Sequence, residues 1–159
     1  MATKKRAPKT AKKSASKKPA VKKSGAKKAG AKKPAKAAAP KKASAALGPY
    51  TPVVRAGDWV IVSGQLGVVD GTLVSGGVAA QTAQAIVNLK NQLATVGLTL
   101  QDVKKTLCFL TDMDTFTTFN DAYVKGFGGS RPARSTIGVA ALPFRGAVEI
   151  EAWAFKPVR

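Results

Sequence analysis

The residues able to do chemistry are few, and the gaps among them narrow the options. The 159-residue chain has no histidine and a single cysteine, which removes the commonest general base, the commonest zinc ligand and any intrachain disulfide framework. Cys108 lies between Leu107 and Phe109 in an apolar run and reads as a core thiol rather than a nucleophile. The stretch VSGQLG at 62–67 has the outline of a serine nucleophile, but no imidazole exists to activate it. No Walker loop, dinucleotide fingerprint or nucleophile elbow occurs. What remains is Arg, Glu, Asp, Tyr, Ser, Thr and backbone, a kit suited to an anionic small molecule whose own reactivity does most of the work. Within it, RPARSTIGVA at 131–140 sets Arg134 at the threshold of an apolar run with few carboxylates nearby in sequence. VEIEAWAF at 148–155 alternates, sending Glu149, Glu151, Trp153 and Phe155 to one face and Val148, Ile150, Ala152 and Ala154 to the other.

These residues need a scaffold, and the patterning supplies one. A strand is expected over 59–63, ended by Ser63-Gly64-Gln65, with a hairpin turn at Asp70-Gly71. A helix is expected over 78–96, with Ala79, Ala83, Ile86, Leu89, Leu93 and Val96 as its buried stripe and Gly97 just past its end. A second strand is expected over 103–111. Asp114 is expected to cap a second helix over 115–127, striped by Phe116, Phe119, Tyr123 and Phe127 and ended by Gly126, Gly128 and Gly129. Strands over 134–140 and 146–155 close the order β-β-(β)-α-β-α-β-β. This predicts an α+β domain, one mixed sheet with two helices on one face. The face bearing Trp153 and Phe155 is then left bare, and oligomerisation is the economical way to cover it.

The charge belongs to a different part of the chain. Residues 1–46 hold 17 of the 27 Lys and Arg and none of the 8 Asp and Glu, so residues 47–159 form the expected domain and carry a nearly balanced charge. Lys-Lys recurs every five residues, as Lys12-Lys13, Lys17-Lys18, Lys22-Lys23, Lys27-Lys28 and Lys32-Lys33. A five-residue period advances about 140° around a helix, so these lysines form no face, and Pro19, Pro34 and Pro40 interrupt any long helix. The expectation is a tail that is disordered when free and contacts DNA or RNA without reading sequence. Its composition resembles the C-terminal tails of linker histones and the Lys-Ala-Pro tails of some bacterial nucleoid proteins. No apolar run reaches membrane-spanning length, the N-terminus lacks a signal-peptide core, and a lone cysteine suits a reducing compartment. A cytoplasmic protein with no membrane partner is expected, with nucleoid association through the tail a further expectation.

GPY at 48–50, VSGQ at 62–65, AAQTAQAIVNL at 79–89, FLTDM at 109–113, FNDAY at 119–123, PARS at 132–135 and VEIEAWA at 148–154 together resemble the RidA family of reactive-intermediate (enamine/imine) deaminases, in order, over residues 47–159. The resemblance implies a chorismate-mutase-like homotrimer with active sites between subunits. The implied reaction hydrolyses short 2-imino acids, formed from enamines such as 2-aminoacrylate, to 2-keto acids and ammonia, with no metal or organic cofactor. It implies that Arg134 forks onto the substrate carboxylate and that Glu149 holds the attacking water, with Glu151 as a secondary candidate. Tyr50 would pack on the ligand, Ser63 and Gly64 would line the cleft, and Asn120 and Thr136 would complete it. Thr136 stands where many family members carry cysteine, so a hydroxyl replaces an ionisable thiol. Structural alternatives stay open: an ion pair from Arg134 to Glu149 or Glu151, an inter-subunit ion pair at Glu149, a core-capping role for Tyr50, a plain turn at Ser63-Gly64, and a loop-holding role for Asn120. Two other functions are weighed: a non-enzymatic nucleic-acid-binding protein trimerised by this domain, and a ribonuclease or translation inhibitor.

Overall fold

The computed structural model describes residues 48–158. The expected tail and its lysines lie outside them. Alternating apolar residues build a five-stranded sheet from β1 (Val53–Ala56), β2 (Trp59–Leu66), β5 (Val103–Leu110), β6 (Ala133–Gly138) and β7 (Val148–Phe155), in the order β1-β2-β7-β5-β6. All neighbours are antiparallel except β5 and β6, which run parallel. β3 (Val68–Val69) and β4 (Thr72–Leu73) form the small hairpin expected at Asp70-Gly71. Helices α1 (Gly77–Thr95) and α2 (Phe116–Phe127) pack on one face of the sheet, against Val60, Val62, Cys108, Leu110, Val148, Ile150, Ala152 and Ala154. The α+β expectation therefore holds.

Local chemistry departs from the sequence reading in four places. Ser63-Gly64-Gln65 does not end β2. Between the pairs Val62↔Ala152 and Gln65↔Ile150, Ser63 and Gly64 oppose the single residue Glu151, so the strand resumes across a bulge. The buried stripe of α1 is more polar than its periodicity suggested: Ala83 is exposed, while Gln81, Thr82, Asn88 and Gln92 are buried. Asp114 does not cap α2. Asp112 instead accepts from the Asp114 N–H and caps a short 3-10 turn, Met113–Thr115, that leads into the helix. Gly126 lies inside α2 rather than ending it, and a Cβ there would come within 2.5 Å of Ile86 Cδ1, so the missing side chain lets the two helices approach. Gly97 does follow α1 in the left-handed conformation, with Leu98 N–H returning to the Leu93 carbonyl at 3.0 Å.

The opposite face of the sheet has no helix over it among the described residues. Trp59 packs edge-on against Phe155 at 5.1 Å there, and register places Ile61 beside Trp153, Leu107 beside Glu151 and Phe109 beside Glu149 and Ile137. Trp59, Ile61 and Ile137 are exposed.

Candidate active site

The predicted residues gather into two groups, one on each side of the sheet. The first group forms a cavity of about 310 Å³ lined by Tyr50, Ser63, Gly64, Leu66, Pro143, Phe144 and Glu149. The β2 bulge creates its floor. Gly64 lies directly beneath the Glu149 carboxyl group: a Cβ on Gly64 would lie 2.6 Å from Glu149 Cδ, so only glycine leaves the acid its place. Gln65 Nε2 donates to the Ser63 carbonyl at 2.9 Å and the Gly64 carbonyl at 3.3 Å, fixing the bulge. Ser63 Oγ donates to the Thr51 carbonyl at 2.8 Å, which holds the segment next to Tyr50 against the strand. Burial raises the Glu149 carboxyl above the ordinary carboxylate range, and the like charge of Glu151 raises it further. Burial also raises Glu151, which does not line the cavity.

The second group surrounds Arg134 on the helix side. Arg134 pairs in register with buried Thr106, and Thr136 with buried Cys108. The Arg134 guanidinium carbon stands 4.6 Å from the Tyr123 ring centroid, 5.3 Å from Phe119 and 5.6 Å from Phe116, and Nη2 donates to Asn120 Oδ1 at 2.9 Å. Among the described residues it makes no ion pair with Glu149 or Glu151, which lie on the other face. Aromatic faces and an amide oxygen can hold a cation without neutralising it, so a guanidinium held this way keeps donors for an anion. Tyr123 is fixed in turn by a 2.7 Å hydrogen bond with Thr106, and burial pushes its hydroxyl up to about 12. Thr136 Oγ1 is buried with no hydrogen-bond partner among the described residues. Cys108 is fully buried and its thiol is pushed up to about 11, chiefly by burial; it stays protonated at neutral pH, as a core thiol does. Arg131 is exposed and donates to the Gly128 and Ser130 carbonyls, tying down its own loop.

Sequence reasoning missed several residues that shape these groups. Asn88 Nδ2 donates to the Leu66 and Val68 carbonyls, both at 2.9 Å, and Gln84 Nε2 donates to Asn88 Oδ1 at 2.8 Å. Gln81 Oε1 accepts the Ala147 N–H at 2.7 Å. Two amides of α1 thus anchor the strand ends on either side of the cavity. Phe144 was also missed, and Phe116 was read only as part of the α2 stripe; Gln81 and Asn88 lie outside the apolar positions that defined the α1 stripe, so periodicity gave no signal for them. Among the described residues no group of three or more His, Cys, Asp and Glu lies together, and no helix is long and apolar enough to cross a membrane.

Known proteins share this arrangement of sequence and fold. The chain is 44% identical over 115 residues to the 2-iminobutanoate/2-iminopropanoate deaminase of Bos taurus, covering 71% of this chain and 84% of that protein. Its fold matches crystal structures of RidA from the Antarctic bacterium Psychrobacter, at 39% identity and TM-score 0.67, and of E. coli TdcF with bound serine, at 34% identity and TM-score 0.66. Each of these covers 72% of this chain and 94% of the matched chain. The profile of the endoribonuclease L-PSP family matches residues 40–156, and with these relatives it establishes that the chain belongs to the endoribonuclease L-PSP, or RidA, family.

Proposed function

We propose that the protein hydrolyses short-chain 2-imino acids, and the enamines that tautomerise to them, to 2-keto acids and ammonia. The observation that carries the proposal is the Arg134 guanidinium, caged by three aromatic rings and Asn120 and making no ion pair with a carboxylate among the described residues. Relatives named for this reaction and a structural relative holding serine, a small molecule with one carboxylate, support it. Because Arg134 and Glu149 lie on opposite faces of one sheet, one chain does not bring them together. A homotrimer with the bare faces turned inward would set Arg134 of one subunit against the Glu149 cavity of the next, and would supply surroundings for Thr136 Oγ1.

In that cleft the guanidinium binds the substrate carboxylate. Glu149, ionised, takes a proton from a water as its oxygen adds to the carbon of the protonated imine, giving a neutral carbinolamine. Glu149 passes that proton to the amine nitrogen and takes the hydroxyl proton as the C–N bond breaks, so ammonia leaves and the keto acid remains. An imine carbon is already electrophilic, so a modest base is enough. For RNA cleavage, the activity in the family's name, the chain has no histidine and no paired Lys/Glu motif of recognisable spacing.

The test is keto-acid and ammonia release from enzymatically generated 2-aminoacrylate. Removing the partner of a buried charge costs about 2–5 kcal/mol, so Arg134→Ala is expected to lower kcat/KM by about thirty- to several-thousand-fold. An unchanged rate would remove the basis of the proposal. The lysine pairs between Lys12 and Lys33 support a second, separable role, sequence-independent contact with nucleic acid. A chain starting at Ala46 is expected to lose affinity for DNA and RNA while keeping its rate per site. Equal affinities would exclude the role.

A further inference from the structure

Phe144 is out of place by the ordinary rules of folding. It has φ 57° and ψ 15°, and Arg145 beside it has φ 57°. Two successive non-glycine residues in the left-handed region are uncommon, and a bulky aromatic there is a strained choice. Residues on both sides hold the strain in place. Pro143 fixes the entry, Gly146 N–H donates to the Pro143 carbonyl at 3.0 Å, and a Cβ on Gly146 would meet Leu66 Cδ2 at 2.9 Å. Beyond it, Ala147 is tied to Gln81 and to the Thr111 N–H. The effort does not serve the core. Phe144 is 47% exposed, and its ring stacks on no other aromatic among the described residues. It lines the same cavity as Glu149.

We propose that Phe144 is a specificity-determining residue that selects 2-imino acids with bulky apolar side chains, branched aliphatic or benzylic, over those with a methyl group. The inference rests on the deaminase reading. A 2-imino acid has three arms around its reacting carbon region. The carboxylate goes to the guanidinium and the C=N carbon to the water at Glu149. The remaining substituent then faces what is left of the wall, namely Tyr50, Leu66, Pro143 and Phe144. That wall is apolar and aromatic. The cavity of about 310 Å³ is within the range of small-molecule sites, about 300–1,000 Å³, and roomier than a methyl group requires. Acidic side chains are disfavoured by Glu149 and Glu151.

The experiment generates imines in situ from leucine, phenylalanine and alanine with an L-amino-acid oxidase and follows keto-acid release against a semicarbazide trap. A methylene in an apolar pocket discriminates by about 10–200-fold, so the full chain is expected to favour the leucine-derived over the alanine-derived imine by about tenfold or more in kcat/KM. Phe144→Leu, which keeps an apolar side chain on the same backbone, is expected to retain that ratio within about threefold. Phe144→Asn, which tolerates positive φ but loses the apolar surface, is expected to reduce it by about fivefold or more. A wild-type ratio near one with all imines hydrolysed, or the same change of ratio in both variants, overturns the proposal and leaves the deaminase reading standing. No hydrolysis of any imine overturns both.

Discussion

In the proposed reaction Glu149 is a carboxylic acid that acts as a base, and its surroundings set the pH at which it can. Burial raises its pKa first and the negative charge of Glu151 adds to this. The ionised form is the one that accepts the proton of water, so kcat/KM falls as pH drops through this raised pKa. Replacing Glu151 by Gln removes the like charge, lowers the Glu149 pKa and moves the acid limb of the pH–rate profile to lower pH. A profile of kcat/KM on a single imine for the two proteins checks the direction, and a limb that stays put or moves up would contradict it. The residue types were legible in sequence: Tyr50, Ser63, Gly64 and Glu149 all meet in one cavity. Phe144 was not legible, because its backbone conformation runs against the preference of its residue type and nothing local announces it.

At the scale of elements, the cavity depends on how α1 grips the sheet. Asn88 reaches across to two carbonyls, that of Leu66 at the end of the bulged strand β2 and that of Val68 at the start of β3. Asn88→Leu keeps the volume and leaves those carbonyls without their donor. An orphaned buried polar group costs about 1–3 kcal/mol, and the urea midpoint is expected to fall accordingly with an unchanged denaturant slope. An unaltered midpoint would mean that water replaces the amide without loss. Sequence patterns located β2, β5, β6, β7 and both helices, since burial of one face is a local property of the sequence, but gave no range for the edge strand β1. The bulge at Ser63-Gly64 read as a break because both residues favour turns, and only pairing with β7 shows that the strand resumes. The roles of Asn88 and Gln81 were not legible because their partners lie 22 and 66 residues away, beyond any local pattern.

At the largest scale, the described residues are organised by the contrast between two sheet faces. One is sealed by helices; the other offers Trp59, Ile61, Leu107, Phe109, Trp153 and Phe155 around two carboxylates. The proposed trimer would bury this apolar area. The alternation that exposes it was plain in VEIEAWAF. The separation of Arg134 from Glu149 was not, because the parallel pairing of β6 with β5 decides which side Arg134 takes.

That separation has an experimental signature. If every reacting centre draws its cation from one polypeptide and its acid from another, two individually dead proteins can rescue each other. Arg134→Ala and Glu149→Gln chains, unfolded and reassembled together at equal amounts, would shuffle into mixed rings in which about a quarter of the junctions pair an intact arginine with an intact glutamate. Recovery of about a quarter of the wild-type rate would be the mark of shared centres, and a mixture as silent as its components would mean that each chain works alone.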